Sequence, residues 1–439
     1  MTIKFKQILV PFAVVTISAV FERVINVLIT PLLAKGLEKS VFGAFSLSYT
    51  LSAIFLLFVL NGLSSALFKE RSLWDDRYDF YILENKAITL AFVCFVLVCT
   101  LGALNILLDF SNIALGIDAF LFFTVLVSTC SGFLFQIKMA VYSSENRYLY
   151  LLAFSSLRLI VISLLFWFFY QDLLMFGRQI GEFAFNLLFI FVFTISLQLS
   201  KAKNTPKINK KSNQRDLKDL IVYGWTVQFS HLAFWIISSS DRVIIGSVLG
   251  KVEVAEYTIT TYLLIFSFLI SSFSIAFSSL YFRMFSSKEN YDNLVSVMIL
   301  VGSVCFLAAG ILVSIFSKEI VLLISSDDYL NVSGFMILSM YILYSYFLYI
   351  CVSRGLHALG KGKIIVLTSG AAAVLNVILN IMFIEDYGVV FALYSSIISY
   401  IFAGLLVMYF SYKNKINQNK TIVSGAVCLM LATVFLNYV

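Results

Sequence analysis

The sequence predicts an all-α polytopic membrane protein, with two six-helix bundles around a central cleft, and three observations carry that prediction. Hydrophobic residues fill 61% of the 439 positions and charged residues 13%, too few charges to clothe a water-exposed surface of that size. Apolar runs of about 20 residues recur along the chain, the length needed to cross a hydrocarbon core of about 30 Å. One long polar interruption, Ser200–Leu220, falls near the middle and sets seven Lys or Arg against two Asp. The runs are continuously apolar, without period-two alternation, which selects helices over a β-barrel.

Taken in order, spans are expected near 8–34, 42–67, 87–108, 115–137, 150–170 and 173–199. Beyond the interruption they are expected near 220–240, 257–282, 292–316, 330–353, 364–384 and 387–410. The predicted organisation is therefore a first half at 1–199, a cytoplasmic hinge at 200–219, a second half at 220–410 and a closing segment at 411–439. Within that last segment, 421–439 is apolar enough to be a thirteenth span. Pro11 sits at the start of the first helix, where a missing N–H costs least, and Pro31 near its end predicts a kink or a stop. The first apolar run is too long for the core of a cleavable signal and no small-residue cleavage site follows it, so the first helix is expected to be retained. Six cysteines are scattered through apolar segments without metal or disulfide spacing and read as small hydrophobes. No metal site and no cofactor is predicted.

Lys and Arg fix the orientation. With the N-terminus inside, 23 of the 31 fall in cytoplasmic segments and five in outer ones, and Arg23, Arg158 and Arg178 remain within spans. That asymmetry places the N-terminus and the basic hinge in the cytoplasm, and it reads the hinge as a topology signal, not a nucleic-acid site. The halves also echo each other. Phe68-Lys69 ends the second span as Phe282-Arg283 ends the eighth, and Asn146-Arg147-Tyr148 precedes the fifth as Lys361-Gly362-Lys363 precedes the eleventh. The nearly constant separation of such pairs predicts a parallel repeat about the membrane normal, a plan used by transporters.

Leu356-His357-Ala358-Leu359-Gly360-Lys361-Gly362-Lys363, then Asn376 and Asn380, then Tyr387-Gly388-Val389-Val390-Phe391-Ala392, form a recognisable series. With Phe42-Gly43 and Asn61-Gly62-Leu63 near the start, the chain resembles the polysaccharide-exporter branch of the multidrug/oligosaccharidyl-lipid/polysaccharide exporter superfamily. Within it, the chain looks most like a Wzx-type flippase for lipid-linked oligosaccharides. It departs from the family pattern at Glu385-Asp386, where a proline often precedes the Tyr-Gly pair. The resemblance implies movement of polyprenyl-pyrophosphate-linked repeat units, for O-antigen or capsule assembly, across a bacterial inner membrane. It also implies contact with membrane lipid and with glycan-assembly membrane proteins.

Charges inside spans are costly and are where such a function should be sought. Arg23, Arg158 and Arg178 are the candidates for the pyrophosphate, because a planar guanidinium can donate two bonds to paired oxygens. Glu22 and Glu182 are the candidates for coupling to a proton or sodium ion. The competing reading is structural: Glu22 with Arg23 as an interhelical pair, and Arg178 with Glu182, four residues apart, satisfying each other. Asp241-Arg242 is expected to close the seventh span as an interfacial anchor. Tyr341 and Tyr344 are candidates for stacking on sugar rings, and Asn376 and Asn380 for lining the path, with helix packing as the alternative for all four. No ATP-binding loop of the form G-x-x-x-x-G-K-[ST] is present, leaving an ion gradient as the drive. A cation-coupled multidrug exporter is the rival within the superfamily. A glycan polymerase or ligase is disfavoured because no large outer loop is available for catalysis.

Overall fold

The computed structural model describes residues 6–60, 62–73, 77–145, 147–169, 174–201, 217–270 and 288–414. Every regular element among them is helical. The first half of the chain holds α1 (Lys6–Gly36), α2 (Lys39–Leu60), α3 (Leu63–Leu73), α4 (Arg77–Leu108), α5 (Phe110–Leu115), α6 (Ala119–Ser131), α7 (Phe133–Ser144), α8 (Tyr148–Phe168) and α9 (Leu174–Lys201). The second holds α10 (Leu217–Val248), α11 (Lys251–Thr260), a 3-10 turn (Tyr262–Phe266), α12 (Lys288–Ile315) and α13 (Ser317–Ile324). It closes with a 3-10 stretch (Asp327–Phe335), α14 (Met336–Ala358), α15 (Gly362–Tyr387) and α16 (Val389–Lys413).

Nine described segments are long and apolar enough to cross a membrane, and α11 with Tyr262–Ile270, bent by 51°, makes a tenth. A helix stands at each expected span, the eighth being described only as far as residue 270. The centre of the basic hinge and the expected thirteenth span lie outside the described residues. Two local expectations change. The first helix continues through Pro31 to Gly36, so the proline does not stop it. The seventh span does not end at 240 but runs to Val248, which puts Asp241 inside the helix and not at its outer rim.

By internal contacts the chain forms two compact units, one of Ser48–Gln228 and one of Met1–Leu47 with Phe229–Val439. These units do not coincide with the sequence halves, because α1 and the start of α2 pack with helices from beyond residue 229. In the Ser48–Gln228 unit, α8 packs on α9, α6 on α4 and α9, and α3 on α7. Gly62 has φ of +67°, and a side chain there would meet the Gly224 carbonyl at 2.1 Å, so glycine admits the backbone of α10. Gln228 Nε2 donates to the Leu57 carbonyl at 2.7 Å beside that crossing. The face of α4 bearing Leu97, Leu101, Leu104 and Leu108 is exposed, as a lipid-facing stripe should be.

In the other unit α14 is the central element. The span containing it is 72% buried, whereas the span in α4 is 22% buried. Helices α16, α12 and α15 surround α14, and α15 and α16 pack along each other. The N-terminal segment joins this unit through three contacts. Lys39 Nζ pairs with Glu256 Oε1 at 2.9 Å, Tyr262 Oη donates to the Val27 carbonyl at 2.8 Å, and Gly43 lies directly against the Lys251 carbonyl.

Candidate functional site

The most concentrated buried polar chemistry lies within the unit built on α14, where α10, α11, α15 and α16 meet around Asp241. Asp241 is completely buried. Its Oδ2 accepts from Tyr257 Oη at 2.5 Å and from Ser396 Oγ at 2.8 Å, and its Oδ1 accepts from Asn380 Nδ2 at 2.5 Å. Asn376 and Asn380 stand one turn apart on α15 and are also fully buried. Ser395 Oγ donates to Asn380 Oδ1 at 2.5 Å, while Ser240 Oγ donates to Asn376 Oδ1 at 3.3 Å. Ser396 additionally shares the Ile237 carbonyl at 3.1 Å.

None of these contacts brings a positive charge. Among the described residues no Lys or Arg forms an ion pair with Asp241. The neighbouring Arg242 sends Nη2 to Thr261 Oγ1 at 3.1 Å and lies over the Tyr257 ring, 5.5 Å from its centroid. Arg242 acts on the Asp241 carboxylate through its field without a direct ion pair, and a proton or a bound cation would complete the neutralisation of this buried group. The oxygens of the cluster, from carboxylate, amide and hydroxyl groups, are hard ligands, and the Asn380 amide nitrogen faces Oδ1. Turning the Asn380 amide would present its carbonyl oxygen to the carboxylate. Such a set suits a proton or a small hard cation and not a soft transition metal. Among the described residues no group of three His, Cys, Asp or Glu could hold a metal.

The residues singled out from sequence are dispersed. Arg23 is exposed on α1, and the side chain of Glu22 lies outside the described residues. Arg158 and Arg178 belong to the Ser48–Gln228 unit. Arg158 is half-buried with its guanidinium 4.9 Å from the Phe135 ring centroid, and its Nε has no hydrogen-bond partner among the described residues. Arg178 and Glu182 are both buried and meet each other at 3.4 Å, with the Arg178 guanidinium over the Tyr49 ring at 4.4 Å. Tyr341 and Tyr344 are buried in α14, and the Tyr344 hydroxyl bonds to Ser303 of α12 at 2.6 Å. Of the expected set, two pairs come together: Arg178 with Glu182 in the Ser48–Gln228 unit, and Asn376 with Asn380 beside Asp241.

Sequence reading assigned Asp241 to the outer end of the seventh span because that span was drawn to 240, eight residues short of Val248. The signal was present: an acid deep in an apolar run, two asparagines at helical spacing and the pair Ser395-Ser396. A second buried ionic contact was also missed. Lys138 of α7 pairs with Glu84 of α4, both almost fully buried, and Glu145 receives Arg71 at 2.8 Å and Arg147 at 2.7 Å nearby in sequence.

A family model described as polysaccharide biosynthesis protein matches residues 9–281, and a second, MatE, matches residues 227–382. No curated protein matches the chain in sequence. Among solved structures, the lipid II flippase MurJ in an inward closed conformation aligns with a TM-score of 0.70 at 17% identity, over 96% of this chain and 91% of that one. A multidrug/oligosaccharidyl-lipid/polysaccharide superfamily transporter from Pyrococcus furiosus aligns at 0.68 and 14% identity, over 97% and 99%. An outward-facing multidrug resistance transporter of the MATE family aligns at 0.64 and 14% identity, over the same shares.

Proposed function

The chain belongs to the polysaccharide biosynthesis protein family, and we propose that it translocates lipid-linked oligosaccharide repeat units between the leaflets of a bacterial inner membrane. The family match over residues 9–281 carries the reading. Physical need supports it: a glycan and its pyrophosphate cannot cross about 30 Å of hydrocarbon without a polar path, whereas the polyprenyl tail can stay in the lipid. Two sequence halves joined by the basic hinge alternate in exposing that path, and the N-terminus lies in the cytoplasm. Arg23 and Arg158, each within its own unit, are separate candidates for contacting a diphosphate, whereas Arg178 already answers Glu182.

Drive comes from a proton or sodium gradient acting at Asp241. The supporting observation is its complete burial without a direct ion pair, among three neutral hydrogen-bond donors from Tyr257, Asn380 and Ser396. The test is flipping of a polyprenyl-pyrophosphate-linked oligosaccharide in proteoliposomes, with imposed proton and sodium gradients. Flipping that accelerates under one gradient is expected, and absence of any flipping by active, folded protein rejects the reading.

The MatE match over residues 227–382 favours a second reading, a cation-coupled multidrug exporter. It predicts raised drug susceptibility on deletion, with surface glycan unchanged. The flippase reading predicts the reverse.

A further inference from the structure

Two adjacent side chains on α11 answer to different neighbours. Tyr257 donates to the Asp241 carboxylate, while Glu256 receives Lys39 Nζ and Asn331 Nδ2, each at 2.9 Å. Successive positions on a helix point about 100° apart, so one rod can serve both partners. Lys39 opens α2 and lies over the Tyr329 ring, 4.8 Å from its centroid. Beside it Gly43 lies directly against the Lys251 carbonyl at the start of α11. The stretch Lys251–Thr260 thus pins the α1–α2 turn on one face and closes the Asp241 site on another.

Two joints bound this rod. Gly250 before it has φ of +119°, a conformation glycine adopts without strain, and after Thr260 the chain bends by 51° into the 3-10 turn. Arg242 Nη2 donates to Thr261 Oγ1 at 3.1 Å at that bend, and Ser339 Oγ donates to the Thr260 carbonyl at 2.5 Å. A short helix between joints moves as one piece, so a shift of Tyr257 is also a shift of Glu256. Beyond the pin α2 runs unbroken to Leu60, leaving this unit after Leu47.

We propose that α11 is a lever coupling the charge on Asp241 to the pin at the α1–α2 turn, with Tyr257 as the positioning residue. The inference rests on Asp241 being the ion site, and its sign follows from burial. Asp241 is completely enclosed in the structure. Neutralised by a proton or a cation, the carboxylate tolerates that enclosure; bare and ionised, it draws in water, which turns Tyr257 and α11 away. A charged acceptor also strengthens the Tyr257 bond, but that gain is small beside the cost of keeping water from an unpaired charge. Occupation therefore holds the pin, and loss of the ion releases it. The groups around Asp241 are Arg242 on α10, Tyr257 on α11, Asn380 on α15, and Ser396 and Tyr400 on α16. None of these neighbours titrates between about pH 6 and 8.

The test uses the full chain in lipid nanodiscs and measures Tm alongside hydrogen exchange in residues 37–45. The titrants are sodium chloride against choline chloride at equal ionic strength, and about pH 6 against about pH 8. Whichever titrant raises Tm should slow exchange in that turn by about fivefold or more. Asp241→Asn, permanently neutral, should exchange slowly under every condition, and Lys39→Met rapidly under every condition. Tyr257→Phe keeps the ring beneath Arg242 and the other two donors, so its Tm should still follow the titrant while exchange in the turn should not. Exchange that follows the titrant equally in Tyr257→Phe overturns the lever, as does rapid exchange in Asp241→Asn. So does a Tyr257→Phe protein whose Tm no longer responds, since Tyr257 then serves ion binding alone. A Tm that moves in the unaltered protein without any change in the turn rejects the lever and leaves the ion site standing. If neither titrant moves Tm, the ion site falls and the lever with it.

Discussion

Replacing Asp241 by Asn removes one charge and almost no volume, so it isolates the role of the carboxylate. In the structure Oδ2 receives Tyr257 and Ser396, and Oδ1 receives Asn380. An asparagine that places its carbonyl oxygen at the Oδ2 position keeps the first two bonds. It loses at most the third, worth about 1 kcal/mol, and no longer buries a charge. Folding should therefore survive. Cation binding should not. A sodium ion about 2.4 Å from a carboxylate oxygen gains roughly 7 kcal/mol at an effective dielectric of about 20. Residual coordination by the amide and the hydroxyls recovers part of that. A loss of affinity of about 100-fold or more is expected, which corresponds to ~2.7 kcal/mol. The assay is thermal unfolding in sodium chloride and in choline chloride at equal ionic strength, repeated across pH. At a cation concentration about 100 times Kd, linkage stabilises the native protein by about 2.7 kcal/mol, and the Tm rises with it. Asp241→Asn should remove that rise and uncouple flipping from the gradient. An unchanged cation- or proton-dependent Tm shift, together with unchanged gradient dependence, would refute the assignment of Asp241.

Lys138→Ala should cost about 3–5 kcal/mol by stranding Glu84 in the interior, and Lys138→Met with Glu84→Gln should recover most of it in a Tm measurement. Gly43→Ala should lower Tm by several degrees, because the new Cβ would lie 1.8 Å from the Lys251 carbonyl and the two backbones must part; Ala at Gly370, with open space around it, is the neutral control. Reporter fusions after Lys207 and Lys361 should read cytoplasm and one after Lys251 the outer side, and an outer location for Lys207 would overturn the positive-inside count.

The helices were legible because apolar length is a direct requirement of the bilayer, so α4, α8, α12 and α16 stand where hydropathy put them. Their breaks were less legible. The turn between α2 and α3 at Gly62 is set by the approach of Gly224, more than 160 residues away in sequence, and no local pattern encodes that meeting. The site divides in the same way. The pairing of Arg178 with Glu182 follows from helical spacing and was one of the two readings offered. The cluster at Asp241 needs four helices to converge, and the hints to it, an acid in an apolar run, the Asn376–Asn380 spacing and the pair Ser395-Ser396, lie on three separate helices. Tyr344 shows the same limit, because four tyrosines in one helix look alike until their facing helices are known. Ser303 of α12 shares a hydrogen bond with Tyr344, whereas the Tyr346 ring packs on Phe234 and Tyr400.

Ser396 ties α16 to α10 at the carboxylate, because its hydroxyl is held between Asp241 Oδ2 and the Ile237 carbonyl. Protonating or metallating Asp241 changes which hydrogen bonds the carboxylate can accept, and Ser396 is one of the three donors, with Tyr257 and Asn380, that must respond. Ser396→Ala leaves the charge in place and removes one of those donors. The proton- or sodium-dependent rise in Tm should therefore persist in Ser396→Ala with a shifted midpoint, whereas Asp241→Asn should abolish it. A midpoint identical to that of the unaltered protein would remove Ser396 from the ion site.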